Sequence, residues 1–167
     1  QDAMSALDGF GDKTLDTNVQ AFMDFYRAEA LHTMGKEGAV ELYKRLANFP
    51  DTEIRLSSRF RYGVFLMDQK EFSNAREMFV SVLSDPAGRL MSFHQECIMA
   101  AFAAAKQGGE AQEVARLYDR HKTRVKDEKN SITIAEYNLW AQLALKDNAR
   151  SLAAVDDLLS LNVESRR

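Results

Sequence analysis

The sequence is poor in the residues that punctuate or cross-link a chain: one cysteine, two prolines and eight glycines in 167 residues. A single cysteine excludes an internal disulfide framework. Alanine and leucine (22 and 17) outnumber valine and isoleucine (9 and 4) three to one. That balance, with so few turn formers, argues against a sandwich or barrel. Charge of one sign is also missing, since 22 basic and 25 acidic residues leave a net charge of −3. No long-range field therefore draws the chain to nucleic acid or anionic lipid. The longest apolar run, Cys97 to Ala105, has nine residues, against the roughly 20 that a membrane helix needs, so membrane insertion is not expected. What remains is a chain that is 46% hydrophobic and rich in strong helix formers, too apolar for disorder. An all-α fold of one domain is expected.

No basic-then-apolar leader is visible, and the chain starts at Gln1. Such a start is compatible with a cleaved export signal, a tag remnant or a domain excised from a longer protein. The compartment stays open between the cytoplasm and, where a signal peptide preceded Gln1, the periplasm or exterior. Residues 1–18 carry Asp2, Asp8, Asp12 and Asp16 against only Lys13. They read as a flexible acidic arm ahead of a helical domain spanning 19–167.

From Val19 the apolar residues recur at helical steps. Val19, Phe22, Met23, Tyr26 and Ala30 mark a first helix, and Ala39, Leu42, Tyr43 and Leu46 a second that Phe49-Pro50 closes. The third helix is apolar on two sides, with Leu56, Phe60, Gly63, Val64 and Met67 on one and Tyr62, Phe65 and Leu66 on the other. A helix of that kind must touch neighbours on both sides. Phe72, Ala75, Phe79, Val82 and Leu83 form the fourth, and Leu90, Phe93, Cys97, Ile98, Ala101, Phe102 and Ala105 the fifth. Val114, Leu117, Tyr118 and Val125 predict a sixth helix, and Ser131 is the expected cap of a seventh through Ile132, Ala135, Leu139, Trp140 and Leu143. Leu152, Val155, Leu158 and Leu159 give an eighth. Eight helices with short connections make four antiparallel hairpins.

Two of these hairpins repeat a spacing. Ala39, Tyr43, Leu46 and Pro50 are matched 36 residues later by Ala75, Phe79, Val82 and Pro86. A small residue lets two helices approach, the aromatic fills the gap one turn on, the aliphatic seals the next layer and the proline ends the unit. On these residues the chain resembles a tetratricopeptide repeat (TPR) protein. The match is best from Tyr62-Gly63 through Phe72, Ala75 and Phe79 to Asp85-Pro86, with Gly63 twelve positions before Ala75. Beyond residue 87 it weakens. Ala101 or Phe102 can hold the glycine place and Val114 or Ala115 the alanine place, whereas bulky Trp140 falls where a small residue is usual. The resemblance implies a right-handed α-solenoid of about four hairpins whose concave face receives a partner protein.

No catalytic constellation accompanies this pattern, and no enzyme activity, cofactor or metal site is expected. His32, His94 and His121 lack a second ligand at helical spacing and read as surface or capping residues. Cys97 sits among apolar neighbours and reads as a small buried hydrophobe. Through the resemblance, the expected groove residues are Phe60, Arg61, Val64 and Met67, then Gln95 and Ile98, then Tyr137, Asn138 and Ala141. Phe60 and Val64 occupy places where chaperone-tail clamps of the family carry Lys and Asn, so such a clamp is not expected. Arg116, Arg120 and Arg124 form an i, i+4, i+8 line. That line is either a cationic strip for an acidic peptide or a solvated face paired with Glu113, Asp119 or Glu128. The reading is a non-catalytic scaffold or adaptor that binds a peptide or amphipathic helix. The alternatives are self-assembly through the terminal helices Val19–Met34 and Leu152–Val163 as a homo-oligomer, or an accessory domain of a larger complex or enzyme.

Overall fold

The computed structural model describes residues 16–125 and 128–164. Its helices are α1 (Thr17–Thr33), α2 (Ala39–Leu46), α3 (Thr52–Asp68), α4 (Phe72–Ser84), α5 (His94–Gln107), α6 (Ala111–His121), α7 (Glu128–Ala144) and α8 (Asn148–Glu164). A 3-10 turn, Pro86–Leu90, lies between α4 and α5. Most of the expected arm, residues 1–15, lies outside the described residues, whereas Thr17 and Asn18 already belong to α1.

Aspartates cap three of the helix entries. Asp16 accepts from the Asn18 amide at 2.8 Å, Asp51 from Ile54 at 3.0 Å and Asp147 from Arg150 at 3.0 Å, each satisfying an amide with no intrahelical partner. Asp85 does the same for Ala87 in the 3-10 turn at 3.0 Å. That amide and the nearby Arg55 guanidinium hold its carboxyl below the usual range.

The first helix of every hairpin ends in one way. Gly35, Lys70, Gly109 and Lys146 all have left-handed φ (62°, 61°, 72° and 58°). The amide after each bonds back to the last helical turn: Lys36 to Leu31, Glu71 to Leu66, Glu110 to Ala105 and Asp147 to Gln142. This is the Schellman turn, which turns the chain sharply while satisfying carbonyls at the helix end. The four turns supply the register that Trp140 obscured. Leu139, rather than Trp140, stands to Lys146 as Gly63 stands to Lys70. Trp140 instead lies half-buried under the Lys106 ammonium, 3.9 Å from its ring centroid.

Packing follows the repeat. Ala39, Tyr43, Leu46, Ala75, Phe79 and Val82 are all at most 2% exposed. Gly63 makes the tightest of these contacts possible, because a Cβ there would stand 2.6 Å from Cε1 of Phe79. The principal core runs from Leu56 to Ala141, and two smaller clusters hold α1 and α2 around Leu46 and Tyr43. Buried Asp24, paired with Arg45 at 2.5 Å, adds to the first hairpin. Successive first helices pack backbone to backbone, α1 with α3, α3 with α5 and α5 with α7, whereas among the described residues the second helices stand further apart and are bridged by side chains, Arg76 to Glu113 at 3.2 Å and Tyr118 to Asp157 at 3.0 Å. The row of first helices is therefore the inner, concave side of the stack.

Three boundary expectations fail. Leu90 is 88% exposed in the 3-10 turn and lies outside the fifth helix, because Asp85-Pro86 starts a turn that runs on to Leu90. Val125 lies beyond the end of α6, although it is buried. Ser131 lies inside α7, which begins at Glu128, and its hydroxyl donates to the Val125 carbonyl at 3.4 Å.

His121 departs further from expectation, being neither a surface nor a capping residue. Val114, Tyr118 and His121 repeat the spacing of Ala75, Phe79 and Val82, so the imidazole occupies the sealing aliphatic place. It is 1% exposed. Burial, followed by the charges of Arg124, Arg120, His94 and Arg89, lowers its pKa from 6.5 to about 4.

Gly63→Ala should lower Tm by roughly 2–8 °C, because overpacking outweighs the gain in helix propensity. Thermal denaturation that showed a rise would contradict the contact with Phe79. For His121, the unfolded chain takes up its proton near 6.5 and the folded chain only near 4. The folded state therefore keeps this contribution above pH 6.5 and loses it as pH falls to about 4, by about 2–3 kcal/mol in total. Urea unfolding of the wild type and His121→Leu across pH 7 to 4.5 should show the smaller loss in the variant.

Candidate functional site

The concave side holds an open groove of about 590 Å³ between α1, α3 and the start of α5, lined by Phe25, Glu53, Ser57, Phe60, Arg61, Met91, Ser92, Phe93 and Glu96. Phe60 and Phe93 stack in its floor, with centroids 4.7 Å apart and planes 18° from parallel. This contact joins α3 to the segment that opens α5. Behind it Phe60 leans on buried Phe79 at 5.8 Å, so the close Gly63–Phe79 packing also positions the groove floor.

Arg61 pairs with Glu29 across the inner side, Nη2 to Oε2 at 3.1 Å. Glu29 also accepts from the Tyr43 hydroxyl, and burial, then the carboxylate, pushes that phenol pKa up. The one arginine of the groove is thus answered within the fold. Glu53 and Glu96 are exposed, and among the described residues neither has an ion-pair partner. The free charge on the groove wall is negative.

Of the nine expected groove residues, the structure brings Phe60 and Arg61 together in this hollow. Val64, Met67 and Tyr137 are half-buried and pack against the principal core. Gln95 donates from Nε2 to the Arg124 carbonyl at 2.9 Å. Three assignments fail on burial. Ile98 and Ala141 are 0% exposed and belong to the core. Asn138 is 7% exposed and accepts from Gln142 Nε2 at 3.0 Å. Helical phase places them on first helices but cannot say which side meets the next hairpin. Sequence reasoning missed Phe25, Glu53, Phe93 and Glu96. Periodicity places Phe93 inside the fifth helix, whereas it precedes α5 as its N-cap.

The basic strip is not continuous. Arg116 pairs with Glu113 at 2.7 Å, and α6 ends at His121, which leaves Arg124 in the following turn. Cys97 is fully buried, its thiol donates to the Phe79 carbonyl at 3.5 Å, and burial pushes its pKa up to about 12. Among the described residues no three His, Cys, Asp or Glu side chains converge as a metal site, and no helix is long and apolar enough to cross a membrane.

No protein-family model matches the chain, and no curated protein matches it. Two solved structures are similar to it over nearly its whole length. One shows nearly identical TPR-like repeats of a Podosopora anserina protein assigned as a kinesin light chain. It has a TM-score of 0.66 and 16% identity, and covers 99% of this chain and 89% of that one. The other, a point variant of the same protein, has a TM-score of 0.64 with the same identity and coverage. At that identity the likeness speaks to the fold. The chain is an all-α, right-handed helical-repeat solenoid of the TPR-like kind.

Proposed function

We propose that this chain is a non-catalytic interaction module that holds a segment of a partner protein in the groove between α1, α3 and the start of α5. The TPR-like fold supports a protein-binding role in general. The observation that carries the particular reading is an apolar floor of Phe25, Phe60, Met91 and Phe93 flanked by the unpaired carboxylates of Glu53 and Glu96. Its volume lies in the range of about 300–1,000 Å³ typical of binding pockets. The occupant that fits is a peptide or amphipathic helix with a bulky apolar side chain for the floor and lysine or arginine on either side. Complementary charge of this kind governs register and encounter rate more than raw affinity.

Peptide display against the protein should enrich segments that combine basic and bulky apolar residues. Charge reversal by Glu53→Lys with Glu96→Lys should weaken the selected peptides about tenfold, at roughly 0.5–1 kcal/mol per exposed pair. Both side chains are exposed, so Tm should stay nearly constant. Enrichment of acidic peptides, or affinity unchanged by the double reversal, would contradict the groove assignment.

A second reading rests on the open ends of the stack. On α1, Val19, Phe22 and Tyr26 are 46%, 40% and 62% exposed, and on α8, Leu152, Val155 and Leu159 are 70%, 37% and 58% exposed. Terminal repeats of a solenoid lack the neighbour that would cover such faces. Self-association through these ends predicts a sedimentation coefficient that rises with protein concentration and stops rising in Tyr26→Glu with Leu152→Glu. A constant monomer mass excludes it.

A further inference from the structure

His121 lies where the two preceding repeats bury Leu46 and Val82, yet neither of its ring nitrogens has a hydrogen-bond partner. An unpaired buried polar group is destabilising, and an aliphatic side chain at this place would avoid it. His94, the first residue of α5, has a third buried and unpartnered ring nitrogen, Nδ1. Arg89 from the 3-10 turn, Arg120 from α6 and Arg124 from the turn after it stand close enough for their charges to act on His121. The Gln95 bond to the Arg124 carbonyl ties that turn to the start of α5.

Two of the acids nearby are paired, and the third, Glu96, is unpaired and belongs to the groove. Asp119 pairs with Arg150 at 3.9 Å, Asp157 with Lys122 at 3.8 Å and with the Tyr118 hydroxyl at 3.0 Å, and Glu96 lines the groove. Among the described residues Arg89, Arg120 and Arg124 have no carboxylate partner. Arg89 and Arg120 are exposed, while Arg124 and His94 are half-buried, so the rim of the cluster is open to solvent. Arg120 and Arg124 also suit the C-terminal carbonyls of α6. That accounts for neither Arg89 nor the histidines, which other elements bring to the same place. Phe93, the N-cap of α5, makes no side-chain cap hydrogen bond.

We propose that Arg89, His94, Arg120 and Arg124, set over the buried His121, form a binding site for a phosphate group. Three guanidinium charges without a counter-charge call for more than the single charge of a carboxylate. A phosphate carries up to about two negative charges and offers several acceptor oxygens to arginine forks. Each histidine has an unpartnered ring nitrogen to offer the anion. The charged and titratable groups acting on His121 are Arg89, His94, Arg120 and Arg124.

The test is an NMR titration of the whole chain with inorganic phosphate and, separately, with O-phosphoserine, against chloride at matched ionic strength. The readout is the ring C–H resonances of His94 and His121. Saturable shifts of both rings are expected with at least one of the two probes. Tighter binding of phosphoserine assigns the phosphate to a larger molecule, and tighter binding of inorganic phosphate assigns it to the free ion. Arg120→Gln with Arg124→Gln should weaken either by about tenfold or more, and Arg89→Gln alone serves if the double variant fails to fold. Absence of saturable shifts up to tens of millimolar, or shifts that persist unchanged in the arginine variants, overturns the site.

Discussion

The close seating of one helix of a hairpin on the other governs the architecture. At Gly63 the ring of Phe79 occupies the space a side chain would need, and the alanines at 39 and 75 give comparable room on the partner helices. Interiors packed at crystal-like density leave few other ways to bury rings of that size. Once the first three hairpins close on Tyr43, Phe79 and Tyr118, their two helices differ in what remains exposed. The backbones of the first helices approach one another along the inner row, and those of the second helices stand further apart, joined by long side chains. Curvature, and with it the groove, is a consequence of that asymmetry rather than a separate feature.

The groove inherits its chemistry from the same packing. Phe60 bridges core and floor, touching Phe79 behind and Phe93 in front. Arg61 is drawn back to Glu29, the carboxylate that also accepts from Tyr43. The basic residue of the groove therefore serves cohesion of the stack, and Glu53 and Glu96 are left to face outward. A surface that composition would predict to be neutral becomes acidic through the pairing pattern alone.

Departures from the repeat are informative for the opposite reason. Where local rules agree, a residue is explained by folding; where one is broken at a cost, a function is the usual compensation. Lys70 and Lys146 break the glycine preference of a Schellman turn at modest cost and lie at the tips of hairpins. His121 breaks the pattern in the core, beside arginines with no carboxylate. The two cases differ in burial, and burial separates a tolerated substitution from a polar group that needs a ligand.

Helix count, pairing and the small-aromatic-aliphatic repeat were legible in the residues because they depend on spacing along the chain, which a 3.6-residue period preserves. The Tyr43 and Phe79 layers follow from that spacing alone. The groove was legible only in part. Phe60 and Arg61 follow from helical phase, but Glu53, Phe93 and Glu96 come together only because a 3-10 turn carries the chain across the concave side before α5 begins. Burial of Ile98, Asn138 and Ala141, and the loss of Arg116 to Glu113, were likewise decided in three dimensions. Periodicity says which residues share a side of a helix. Which side a neighbouring hairpin covers, and which charges find partners there, depends on contacts between segments far apart in the chain, and no local pattern encodes them.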